Sequence, residues 1–94
     1  MGETKEIGRN GRLFEHIKDL KNIHGHDYSL WFGECVQDIK KHYIYIECDN
    51  SPIGVWTFKN TRKEESIKVV EDAITQYNLK ALIDNIDKDL DVIL

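Results

Sequence analysis

Residues 10–25 read NGRLFEHIKDLKNIHG, and the reading of this stretch decides the fold. Leu13, Phe14, Ile17, Leu20 and Ile23 fall at the intervals of one helix face, with Arg12, Glu15, Lys18 and Asp19 on the other side. Asn10-Gly11 suits a helix cap, and Gly25 suits the left-handed residue that follows a helix. Glu15 and Asp19 stand near Lys18, so the outer face can pair charges weakly. The spacing predicts an amphipathic helix that ends at Gly25.

Strands are expected downstream. In residues 28–36, YSLWFGECV, Tyr28, Leu30 and Phe32 alternate, while Trp31, Cys35 and Ile39 also fit a helix; the aromatics and Gly33 favour a strand. Residues 37–41 read as a polar turn holding one apolar residue, Ile39. Residues 42–48, HYIYIEC, alternate clearly, with Ile44, Ile46 and Cys48 on one face and Tyr43, Tyr45 and Glu47 on the other. Asp49-Asn50-Ser51-Pro52 is dense in turn residues, and a strand over Ile53–Lys59 completes an antiparallel hairpin. Thr61 with Glu64 three residues on is a capping-box signature, and Ile67, Val70, Ala73, Ile74 and Tyr77 make the apolar stripe of a helix that Asn78 ends. Leu79, Leu82, Ile83, Ile86 and Leu90 give a second amphipathic segment with Asp84, Asp87, Asp89 and Asp91 on its wet side.

The expected fold is α+β: a three-stranded antiparallel sheet with helices on one face, in the order α-β-β-β-α with a C-terminal helical tail. The 94 residues suit a single domain, with 1–9 a loose arm and 79–94 an acidic tail. The tail ends on Val92-Ile93-Leu94, which either joins the core or meets a partner or a second copy of the chain. No apolar run is long enough to span a membrane, and the opening MGETKEIGRN lacks the apolar core of a secretory signal. A cytoplasmic protein is expected, of a bacterium or a phage-infected cell; the abundance of Ile, Lys, Asn and Asp is compatible with an AT-rich genome such as that of a phage or a low-GC bacterium.

Seventeen acidic residues against thirteen basic give a net charge of −4, and residues 64–94 hold eight of the acids against three bases. An acidic end suits a basic protein partner rather than a phosphate backbone. Tyr43 and Tyr45 are expected on the open face of the sheet, where tyrosines make good contact residues. His24-x-His26-Asp27 is the densest ligand-like cluster, with His16, Cys35, His42 and Cys48 elsewhere. Zinc needs three or four such groups converging at about 2.0–2.3 Å, and the spacing matches no zinc module, so capping histidines and no metal site are expected. The two cysteines read as core thiols. Phosphate loops, nucleophile elbows and carboxylate pairs are missing from the sequence, and neither an enzyme nor a cofactor is expected.

Two resemblances follow from the α-β-β-β-α reading. Residues 10–77 resemble the double-stranded-RNA-binding domain: Leu13-Phe14-Glu15 sits where that family has Leu-x-Glu on its first helix, Thr61-Arg62-Lys63-Glu64 looks like its Ser-Lys-Lys-Glu, and Ala73-Ile74 looks like its later Ala-Val. The resemblance implies RNA contacts at Glu15, Arg62 and Lys63; the third basic position of the family is Ser66 here, and its Gly-Pro-x-His loop is replaced by QDIKKH. In size, acidity and element order the chain also resembles phage inhibitors of the anti-CRISPR kind, which place carboxylates in the nucleic-acid groove of a nuclease. That likeness implies a non-enzymatic inhibitor or immunity-type module. Glu64, Glu65, Asp84, Asp87, Asp89 and Asp91 would then meet Lys and Arg of a nuclease or other nucleic-acid-binding protein, with Tyr43 and Tyr45 as further contacts.

Overall fold

The computed structural model describes residues 3–7 and 12–86. Five strands follow in chain order: β1 (Thr4–Ile7), β2 (Arg12–Ile23), β3 (His26–Glu34), β4 (Lys41–Cys48) and β5 (Ser51–Lys59). Each pairs antiparallel with the next to form one five-stranded sheet, and α1 (Lys63–Gln76) and α2 (Leu79–Asn85) complete the described chain. The architecture is α+β, but the expected three-stranded sheet and N-terminal helix are both corrected. Residues 12–23 are a strand, and part of the expected loose arm is the edge strand β1.

The pairing of β2 with β3 explains how a strand came to carry helical spacing. His16 lies opposite Trp31 and Lys18 opposite Leu30, so Ile17 is an extra residue in the ladder. Such a bulge moves the residues beyond it to the other face. A second register shift separates Leu20 from Ile23. Phe14 therefore joins one face of the sheet, while Ile17, Leu20 and Ile23 all pack against the core on the other. Two interruptions of a period-two pattern have produced a period of three.

The turns are also reassigned. His24 (φ 52°) and Gly25 (φ 82°) form the two-residue link between β2 and β3, and Asp49 (φ 50°) and Asn50 (φ 68°) form the link between β4 and β5. Two successive positive φ values are the mark of the type I′ hairpin turn, for which Gly and Asn are the favoured residues. Gly25 is thus a turn residue and not a helix terminator.

The helices cover one face of the sheet. Val70, Ala73 and Ile74 of α1 and Leu82 of α2, with Ile86 just beyond it, pack on Tyr28, Leu30, Ile44, Ile46 and Cys48. Lys18 Nζ and Glu71 Oε1, 2.7 Å apart, tie β2 to α1. The capping box at Thr61 does not form: Arg62 is the N-cap residue without a side-chain hydrogen bond, and Thr61 Oγ1 donates to the Lys59 carbonyl. At the next boundary Asn78 Oδ1 accepts the Ala81 N–H at 2.9 Å and caps α2.

The opposite face is not open. Phe14, Trp31, Cys35, Tyr43, Tyr45 and Val55 make a second core there, with Ile7 packed against it. The first half of β2, together with β1, folds across this face. The Phe14 and Tyr45 rings are 5.8 Å apart, and Lys5 Nζ reaches Glu47 Oε2 at 2.9 Å. Strand β4 is consequently covered on both sides from His42 to Cys48. Tyr43 and Tyr45 are 2% and 3% exposed, which corrects the expectation of an accessible tyrosine platform. Cys35 and Cys48 are both buried free thiols, but they belong to opposite cores. Among the described residues, no helix is long and apolar enough to cross a membrane.

Candidate binding cleft

A cleft of about 740 Å³ opens where the start of β2, the end of β3 and the first residue of α1 meet. Leu13, Phe14, Phe32 and Val36 give it apolar walls, and Arg12, Glu15, Glu34 and Lys63 supply charge. Its shape follows from the pleat. Glu15 pairs with Phe32, so the side chains of Leu13, Glu15, Phe32 and Glu34 share a face beyond the end of α1. Val36 follows in the β3–β4 connection, where Ile39 also stands.

The apolar side chains here are unusually bare. Leu13 is 64% exposed, Val36 90% and Ile39 96%. Single exposed aliphatics are ordinary, but Leu13 and Val36 share one concave surface, which marks a contact site. The charged groups divide in their attachments. Lys63 Nζ lies 4.5 Å from the centre of the Phe32 ring, and Arg12 reaches the Tyr43 hydroxyl at 3.4 Å and lies over that ring. Both cations are held by aromatic rings. Glu15 and Glu34 form no ion pair among the described residues.

Behind the cleft, rings line up across three strands. Phe32, His42, Phe58 and Trp56 follow one another at centroid separations of 5.2, 5.6 and 5.7 Å. His42 Nε2 lies 2.6 Å from Ser66 Oγ, and that hydroxyl donates to the Arg62 carbonyl. A serine has one proton to give, so His42 donates from Nε2 to the Ser66 hydroxyl oxygen. Burial holds its pKa below the usual histidine value, against the raising influence of Glu34.

The structure sorts the sequence-predicted residues. Glu15 and Lys63 are brought to the same cleft, and exposed Arg62 adjoins it. Glu64 and Glu65 are exposed in the first turn of α1, and Asp84 is exposed in α2. Asp87, Asp89 and Asp91 lie outside the described residues. Tyr43 and Tyr45 are withdrawn into the second core. Sequence reasoning missed Val36, placed inside a strand, and Leu13, assigned to a buried stripe. Ile39, an apolar residue in an otherwise polar turn, pointed only to the neighbouring connection and does not line the cleft.

The histidine cluster is divided. His24 Nε2 lies 2.9 Å from the Thr75 carbonyl oxygen, which ties the β2–β3 turn to α1. His26 turns instead toward Cys48 and Asp49, and the donor atoms of these three lie within 4.8 Å of one another. No family model, curated protein or solved structure matches the chain.

Proposed function

We propose that this chain is a non-enzymatic binding module that takes a basic, apolar segment of a partner protein into the cleft beside Val36. One observation carries the reading: Leu13 and Val36 line the same cleft and are 64% and 90% exposed. Covering them would remove apolar surface from water at about 25 cal/mol per Å². The sign of the partner follows from the attachments of the charges. Arg12 and Lys63 are already engaged by rings, while Glu15 and Glu34 form no ion pair among the described residues. Glu64 and Glu65 beside Lys63, and the net charge of −4, add to the attraction for a basic segment.

The α-β-β-β-α order behind both resemblances is not the order found, so Glu15 is not presented by a helix. The cleft reading uses Glu15 and Lys63 without that order. A displayed library of random peptides selected on the immobilised chain tests it. The expected binders carry an apolar side chain flanked by Lys or Arg, and their affinity falls as salt rises. Val36→Asp abolishes their binding with an unchanged melting temperature. Selection of acidic peptides, or binding indifferent to Val36→Asp, overturns the proposal.

A further inference from the structure

The two type I′ turns end side by side, and their residues build a compact donor set. Asp49 is its centre: Oδ1 accepts the Asp27 N–H at 3.0 Å, Oδ2 lies 2.7 Å from His26 Nδ1, and Cys48 Sγ lies 3.8 Å from the same oxygen. Backbone pairing fixes the frame, since the Asp49 N–H donates to the Asp27 carbonyl at 2.7 Å. We propose that His26 Nδ1, Cys48 Sγ and an Asp49 carboxylate oxygen form a site for a divalent transition-metal ion of the zinc type.

Imidazole, thiolate and carboxylate are the three protein ligands that zinc takes. Donors on one tetrahedral ion bound at about 2.0–2.3 Å stand about 3.3–3.8 Å apart. The three atoms already lie within 4.8 Å of one another, so a small opening of the His26–Asp49 contact admits an ion. The three residues differ in access. Cys48 is 4% exposed, whereas the His26 and Asp49 side chains are 34% and 53% exposed, giving a thiol floor and an entrance from solvent.

A second observation points to the same place. Tyr28 stands directly opposite Cys48 in the ladder, and its ring lies edge-on to His26 at 6.4 Å. The residue is fully buried, and its hydroxyl has no hydrogen-bond partner among the described residues. A buried hydroxyl without a partner is uncommon, and a metal-bound thiolate beside it would supply an acceptor. His24 takes no part, because its ring is held at the Thr75 carbonyl.

The probes are Zn²⁺ by calorimetry and Co²⁺ by absorption, each on the full chain freed of metal by a chelator. The expected result is saturable binding of one ion and a cobalt–thiolate charge-transfer band. Cys48→Ser should abolish the band, and Cys35→Ser, in the other core, should leave it. Asp49 has a positive φ that asparagine tolerates, so Asp49→Asn keeps the turn while lowering affinity at least tenfold. No saturable binding, a band that survives Cys48→Ser, or an affinity unmoved in a folded Asp49→Asn variant overturns the assignment.

Discussion

The ring of Phe14 fills the space that a side chain would take at Gly33: a Cβ placed there would lie 2.6 Å from Cε2 of Phe14. Phe14 is 1% exposed and anchors the half of the sheet that folds across the second face. Contact with backbone on one side and with Tyr45 on the other holds β2 against β4.

Gly33→Ala is therefore expected to displace the Phe14 ring and destabilise the protein by about 1–3 kcal/mol, the usual range for overpacking. Denaturant titration followed by circular dichroism measures it. Gly33→Ala combined with Phe14→Leu should cost less than the sum of the two single substitutions, because the smaller side chain leaves room for the methyl group. If the single substitution is neutral, the close packing of these two residues is wrong.

How far the sequence disclosed this arrangement depended on whether the pattern stayed regular. Strand β4 alternates without interruption, and the strand expected over 42–48 is found. The helix after residue 62 also keeps its period, with Val70, Ala73 and Ile74 inward as their spacing requires. Strand β2 misleads because the bulge at Ile17 and the shift after Leu20 re-aim the chain, and the resulting spacing matches a helix turn for turn. Each register shift is settled by packing against β3 and the helices, which is a tertiary effect. The same error hid the site. Once residues 12–23 were read as a helix, Leu13 belonged to a buried stripe and nothing remained to cover Tyr43 and Tyr45. The residues that line the cleft come from β1, β2, β3, α1 and the β3–β4 connection, and no local pattern in the sequence marks them as neighbours.

His42 predicts a response to acid. Its ring lies between Phe32 and Phe58 and donates to Ser66, and burial keeps its folded pKa below the usual histidine value of about 6.5. In the unfolded chain the ring takes up a proton near that value, while in the fold it resists. Where the unfolded state binds more protons, stability rises with pH. The contribution is thus level above the unfolded pKa, and stability falls as pH drops below it toward the lower folded pKa. Asp19 and Asp49 have pKa values lowered by hydrogen bonds they accept, from the His16 ring and from the Asp27 backbone N–H respectively, so their losses belong to a more acid range. Denaturation midpoints measured between pH 7 and pH 5 should fall for the native chain. His42→Phe keeps the ring stack and leaves Ser66 bonded to the Arg62 carbonyl, so its midpoints should lose most of that slope. Equal slopes in the two proteins would assign the acid sensitivity to other groups.

The attachment of β1 can be tested through one carboxylate. Glu47 is 7% exposed, and its Oε2 receives both Lys5 Nζ at 2.9 Å and the Tyr45 hydroxyl at 3.0 Å. Lys5 also lies over the Trp31 ring, 4.3 Å from its centre. Strand β1 has four residues paired on one side only, and this charged contact adds a tie from the edge strand to β4. Lys5→Ala leaves a largely buried carboxylate with a single donor, and it should destabilise the fold by about 1–3 kcal/mol. Lys5→Ala with Glu47→Gln removes the stranded charge and should be the more stable of the two variants. Trp31 fluorescence, read in a Trp56→Phe background, should shift in both, because both uncover the indole. A Lys5→Ala variant as stable as the native chain, with Trp31 emission unchanged, would mean that β1 is held by Ile7 and the Phe14 cluster instead.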